Sequence, residues 1–226
     1  MERITIVMGG ASDLGGAVAD HLIALTHLVV ILDRDPHRIA ALEPRYDPGM
    51  TLLFALDPSD LDETAEVMEA VDERFGPPTG LVIVIEPPEA TPLLVAAPEE
   101  LAVVLAGPLV GAGTLVRFAA DGMDEGGAIV LVLPPEDKDA GAVALAARGA
   151  LAGFVRGLAG ELADAGLRVN AVVAPATGTR RGAPRPPGAK AADETARLVA
   201  FLLSEHAAML NGEVLGEGAF LAPLSR

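Results

Sequence analysis

The chain contains no cysteine, no tryptophan, one tyrosine and two lysines. Without cysteine there is no disulfide, no thiolate nucleophile and no thiolate-bound zinc, and cysteine usage says nothing about redox compartment. With aromatics at 3%, the core must be built from Ala, Val, Leu and Ile. Basic residues are also scarce: 16 Lys and Arg face 32 Asp and Glu, a formal net charge of -16. Such a surface repels phosphate backbones and anionic headgroups, so neither nucleic acid nor a membrane is an expected partner. No charge-free apolar run has the length of a membrane span. Met1 to Met8 reads as entry into a strand rather than as a basic, cleavable leader, so a cytoplasmic location is expected.

The 226 residues suit a single α/β domain, 1–226, with a sizeable core. A mean hydropathy of +0.42 suggests apolar faces hidden between subunits. Apolar runs alternate with amphipathic segments throughout, the pattern of parallel strands joined by crossover helices. About seven strands are expected: Arg3 to Met8, Leu28 to Leu32, Thr51 to Leu56, Leu81 to Ile85, Ala128 to Leu133, Arg168 to Val173, and one near Glu213 to Leu215. Helices are expected over Leu14 to Leu25, Leu61 to Phe75, Glu99 to Ala120, Ala142 to Ala165 and Asp193 to Ser204. Pro108 should kink or interrupt the third of these. The Pro-, Gly- and Arg-rich stretch from Arg180 to Lys190 reads as a surface loop.

Directly after the first strand, Gly9, Gly10, Ser12, Asp13, Leu14, Gly15 and Gly16 lead into the first helix. Glycines there let backbone approach a pyrophosphate, and a helix N-terminus favours anions. Asp33 closes the second strand, where a carboxylate can take an adenosine ribose, and Asp57 follows the third. Both also fit plain turn and cap roles.

Gly9 to Gly15 resembles the Thr-Gly-X-X-X-Gly-X-Gly turn of the short-chain dehydrogenases. Leu167 to Pro175 resembles their Ile-Arg-Val-Asn-X-Val-X-Pro-Gly segment, and Leu210 to Leu215 their Thr-Gly-Glu-Val-Leu strand. The resemblance implies a Rossmann-like, doubly wound parallel sheet of order 3-2-1-4-5-6-7. It also exposes departures. Asp13 replaces the middle glycine of the turn, and for charges about 5 Å apart at an effective dielectric near 20 this is roughly 3 kcal/mol of repulsion toward a pyrophosphate. Ile83, Val84, Ile85 and Glu86 stand where the family has Asn-Asn-Ala-Gly, and Ala176 follows Pro175 in place of glycine. No bound cofactor is therefore expected, and Asp33 would favour NAD over NADP if either binds.

In that family a tyrosine hydroxyl passes the proton and a lysine four residues later lowers its pKa, while a serine orients the substrate and an asparagine completes the relay. The resemblance places Arg148 at the lysine position, Ala144 at the tyrosine, Leu133 or Pro134 near the serine and Pro108 near the asparagine. Composition makes the loss independent of register. Tyr46 is followed four residues later by Met50, while Lys138 and Lys190 are preceded at that spacing by Pro134 and Pro186, so no Tyr-X-X-X-Lys exists in the chain. Asn170 and Asn211 are taken up by the other two motifs. His21, His27, His37 and His206 read as structural or solvated.

The first expectation is a non-catalytic subunit, pairing with itself or with an active dehydrogenase. In the family, the equivalents of the helix from Ala142 and the one before it pack against a neighbouring subunit, and the Ala- and Gly-rich faces here suit close approach. A redox-neutral lyase, isomerase or cyclase is the alternative, using Glu86, desolvated by Pro87 and Pro88, or Asp137 as general base. Glu89 and the neighbours of Asp137 share those loops. A regulator binding a nucleotide or other small molecule comes next, and an NAD-dependent reductase with an atypical proton donor last. No metal site is expected.

Overall fold

The computed structural model describes residues 2–86, 92–135, 141–174 and 188–216. Its elements are β1 Ile4–Met8, α1 Asp13–Ala24, β2 Leu28–Asp33, α2 Pro36–Ala40, β3 Thr51–Ala55, α3 Leu61–Phe75, β4 Gly80–Val84, α4 Pro98–Gly122, β5 Ala128–Leu133, α5 Gly141–Glu161, β6 Arg168–Val173, α6 Gly188–Leu203 and β7 Val214–Leu215. The seven strands form one sheet of order β3-β2-β1-β4-β5-β6-β7, parallel at every pairing. This is the expected Rossmann-like order.

The uninterrupted apolar strands follow from burial on both faces. Side chains alternate along each strand, so Ile6, Leu81, Ile129 and Leu131 meet Val71 of α3, Leu115 of α4 and Leu151 of α5. Val7, Val29, Val82 and Val130 face the other way, onto Val18 and Leu22 of α1 and Val199 and Leu202 of α6. Both layers are aliphatic, as the shortage of aromatics requires.

Most boundaries fall within a residue or two of expectation, and four features depart further. Helix α4 runs uninterrupted through Pro108. Proline removes one intrahelical donor, but Ala112, Leu115, Val116 and Ala119 on the same helix are buried in the core, and that packing carries the helix past the defect. Helix α5 ends at Glu161 and is followed by a single 3-10 turn, Ala163–Ala165. Helix α6 begins at Gly188, so the end of the expected Arg180 to Lys190 loop is helical, while the rest lies outside the described residues. The short α2 was not anticipated. Asp35 caps it, accepting from the His37 amide at 2.8 Å, and Pro36 occupies its first turn.

By length and composition α4 and α5 would each suffice to cross a membrane, because an arginine or two is tolerated by that criterion. One face of each nevertheless packs on the sheet. Only 28% and 22% of their most apolar stretches are buried, leaving broad apolar surface outside.

The polar residues of the last two motifs prove to be staples. Arg168 donates to the carbonyls of Leu202, Ser204 and Ala207 at 2.9 to 3.1 Å, closing the C-terminal end of α6. Asn170 donates to the Leu210 carbonyl and accepts from the Glu213 amide, and Asn211 links Val169 to the Ala159 carbonyl of α5. These bonds place β7 against β6.

His27, expected to be structural or solvated, is structural: it is buried just before β2 and shares a 2.9 Å hydrogen bond between Nδ1 and Thr5 Oγ1. Burial, aided by Arg3, lowers its pKa to about 4 from 6.5. The unfolded chain therefore takes up a proton near pH 6.5 while the folded one stays neutral, so stability is full above that pH and falls as pH drops toward 4. The shift corresponds to a loss of roughly 3 kcal/mol across that window. Urea unfolding at pH 7 and pH 4.5 should show this decline, and His27→Gln should flatten it; an equal decline in the variant would assign it to other groups.

Candidate functional site

The carboxyl ends of the strands carry a crevice between β1 and β4, the point where strand order reverses and where α/β sheets hold ligands. The glycine turn forms its floor. Gly9 has φ +75°, and a Cβ there would lie 2.7 Å from the Val84 carbonyl oxygen; a Cβ on Gly15 would lie 2.1 Å from the Gly9 carbonyl. Only glycine fits either position. Ser12 fastens the turn, donating to the Gly9 carbonyl at 2.7 Å and accepting from the Gly15 amide at 3.0 Å as the cap of α1. Leu14 packs partly buried on the α1 side of the core.

Asp13 is exposed at the first position of α1. An exposed carboxylate acts through a medium close to water, where charges about 4 Å apart interact by only about 1 kcal/mol, so the stronger repulsion expected from the sequence is reduced. Its other effect is to satisfy the positive end of the helix itself.

The remaining acidic residues already have partners. Asp33 is buried at the end of β2: Oδ2 accepts from the Ala11 amide at 3.3 Å, Oδ1 from the Asp35 amide at 3.2 Å, and Arg38 Nη1 lies 3.7 Å from Oδ1. It ties the glycine turn to β2. Asp57 is exposed, accepts from the Ser59 amide and hydroxyl, and pairs with Arg34 Nε at 3.5 Å. The two Ser59 bonds hold it below its ordinary carboxylate range against desolvation, with a smaller contribution from Arg34. Gly111 of α4 faces the same corner: a Cβ there would lie 3.1 Å from Pro58 Cγ and 3.4 Å from Arg34 Nη2.

Glu86 is not the desolvated base suggested by its flanking prolines. It is exposed, and both Nη1 and Nη2 of Arg38 donate to its Oε1 at 3.2 Å. Burial lowers the Arg38 pKa, but the bonds and charge of Glu86, with Asp33 and Asp35, outweigh it and hold the guanidinium above its usual value. Arg38 and Glu86 both line the crevice, whose volume is about 220 Å³. Sequence reasoning missed Arg38. The signal was the Asp35-Pro36 pair, a helix start that fixes the next turn. Asp137 and Glu89 lie outside the described residues.

Of the four positions matched to the family's catalytic set, Pro134 and Arg148 are in contact. Pro108 lines the crevice. Pro134 is buried one residue beyond β5, and its carbonyl accepts from Arg148 Nε at 3.1 Å. Ala144, one turn before Arg148, is half-buried on the same face of α5. Tyr46 lies elsewhere, between α2 and β3. Its hydroxyl donates to Asp20 at 2.9 Å and its ring carries Arg45 at 5.2 Å, while Arg45 also pairs with Asp20. Burial and Asp20 raise the Tyr46 pKa to about 12, away from proton transfer near neutrality. Among the described residues no group of acidic, histidine or cysteine side chains could hold a metal.

Comparison with known proteins places this geometry. The profile of the family described as Enoyl-(Acyl carrier protein) reductase matches residues 9–216. Carbonyl reductase family member 4 of Danio rerio is 28% identical over 176 residues, 76% of this chain and 74% of that protein. A short-chain dehydrogenase from Burkholderia cenocepacia, solved in complex with NADP, superposes with a TM-score of 0.78 at 26% identity over 95% of each chain. A short-chain oxidoreductase from Pseudomonas aeruginosa, described as containing an atypical catalytic centre, superposes at 0.83 with 21% identity over 99% of this chain and 98% of that one.

Proposed function

The chain belongs to the short-chain dehydrogenase/reductase family, and from that premise we propose that it is a non-catalytic, soluble subunit of an oligomer built on that fold. One observation supports this reading: the positions that the resemblance matches to the family's proton relay are Pro108, Pro134, Ala144 and Arg148, and Arg148 Nε donates to the Pro134 carbonyl. Two prolines and an alanine have no side-chain hydrogen to transfer, and a guanidinium keeps its charge where a tunable lysine is needed. The crevice also fits an extended dinucleotide poorly as it stands, because Asp33 is already bonded to backbone and Arg38 and Glu86 meet across it.

The subunit reading is supported by the outer face of α4 and α5. Gly149, Gly153 and Gly157 recur every fourth residue along α5, all exposed, and a Cβ on any of them would meet nothing within 4 Å. Leu145 continues the stripe, and Val103 and Val110 are exposed on α4. Apolar helix surface with small residues at this spacing suits close packing against helices of another subunit.

The protein should oxidise no NADH or NADPH above background with ketone and enoyl-thioester probes. A general acid alone contributes roughly two to four powers of ten, so a detection limit about 10⁴-fold below an active relative decides the matter. Turnover above that limit, abolished by Arg148→Ala, would overturn the reading and group the chain with oxidoreductases of atypical centre.

A further inference from the structure

We propose that Arg38 and Glu86 form an ionic strap that bars dinucleotides from the crevice, and that release of Glu86 turns Arg38 into an anion-binding group there. Strands β2 and β4 are the two neighbours of β1. Arg38 stands on α2, just after β2, and Glu86 lies two residues beyond β4. A bond between them therefore spans the carboxyl end of β1, where Gly9 opens the phosphate-type turn. Both η nitrogens converge on one carboxylate oxygen at 3.2 Å, which spends the guanidinium's outer edge on Glu86. The same guanidinium sits 3.7 Å from buried Asp33, so an incoming ribose diol meets a carboxylate already facing a cation.

Opening the strap changes the sign of the crevice mouth. With Glu86 absent, Arg38 retains Asp33 and Asp35 nearby, and its outward donors are free for a phosphate oxygen, the acceptor geometry a guanidinium fits best. With Arg38 absent, Glu86 is left as an unpaired carboxylate at the same mouth and repels that phosphate. The two removals are thus unequal: one strengthens the field that attracts a phosphate and the other weakens it. The Arg38–Glu86 contact also enters the non-catalytic reading, but neither residue lies on the outer face of α4 or α5, so this test and the oligomeric state can fail separately.

The test is binding of NADH, followed by its fluorescence at low salt, with uncharged adenosine measured by calorimetry as control. Glu86→Ala should tighten NADH binding by about tenfold or more, lose much of that gain at high salt, and change adenosine binding by less than about threefold. Arg38→Ala should give no comparable gain. The exchanged pair, Arg38→Glu with Glu86→Arg, restores a bridge and should return binding to the wild-type level. Melting temperatures of all three variants report the fold. The proposal is overturned if folded Glu86→Ala binds NADH no better than wild type, if Arg38→Ala gains as much, or if the exchanged pair keeps the gain.

Discussion

On the proposed subunit reading, replacing Gly153 by arginine should break the oligomer into monomers without harming the fold. Gly153 lies in the middle of the exposed stripe on α5, with nothing within 4 Å of a Cβ placed there. In an isolated subunit the new side chain extends into water, and exchanging a helical glycine for arginine improves helix propensity by up to about 1 kcal/mol. Buried between closely packed helices, each copy would leave a charge unpaired, at about 3 to 5 kcal/mol. The dissociation constant should rise by more than about a hundredfold, read by sedimentation velocity over a concentration series. The thermal midpoint at high dilution should stay level or rise. An unchanged oligomer would remove this face from consideration as the interface.

Arg168→Ala should be the most damaging single change to the fold among the polar positions. Its guanidinium serves three carbonyls at the end of α6, and burial lowers its pKa, a sign that it is held away from water. Hydrogen bonds from a charged donor contribute about 1.5 to 3 kcal/mol each, and all three carbonyls lose their charged partner together, although those of Ser204 and Ala207 keep the amides of Ala207 and Leu210. A loss of about 3 to 5 kcal/mol in chemical denaturation is expected. Arg168→Lys should recover only part of it, because one ammonium cannot reach three carbonyls in a planar fan. A cost below about 1 kcal/mol would mean that water replaces the guanidinium.

Both effects were within reach of the sequence, though not their geometry. The strands were legible because each is a continuous aliphatic run buried on two faces, a signal that propensity and packing give in common. Three motifs in order sufficed for the strand order. Helix α2 was not legible, since five residues carry no periodicity and only Asp35 and Pro36 mark its start. Pro108 was read by its local cost alone, whereas the buried residues around it decide that α4 continues. Glu86 was read as a free or desolvated carboxylate because its partner is 48 residues away. Nothing in the spacing relates the two; the topology does, by setting β2 and β4 on either side of β1. Asp33 and Asp57 both take the turn and cap contacts that competed with a ligand role from the start, and the exposure of Asp13 depended on a helix geometry that the turn's composition leaves open.

The subunit reading stands or falls on mass. Native mass spectrometry of the protein purified from its own host, at physiological ionic strength, should show a dimer or larger assembly, made of 23.0 kDa units alone or with a second dehydrogenase chain. Solitary 23.0 kDa monomers at every concentration, with no companion chain, would contradict it.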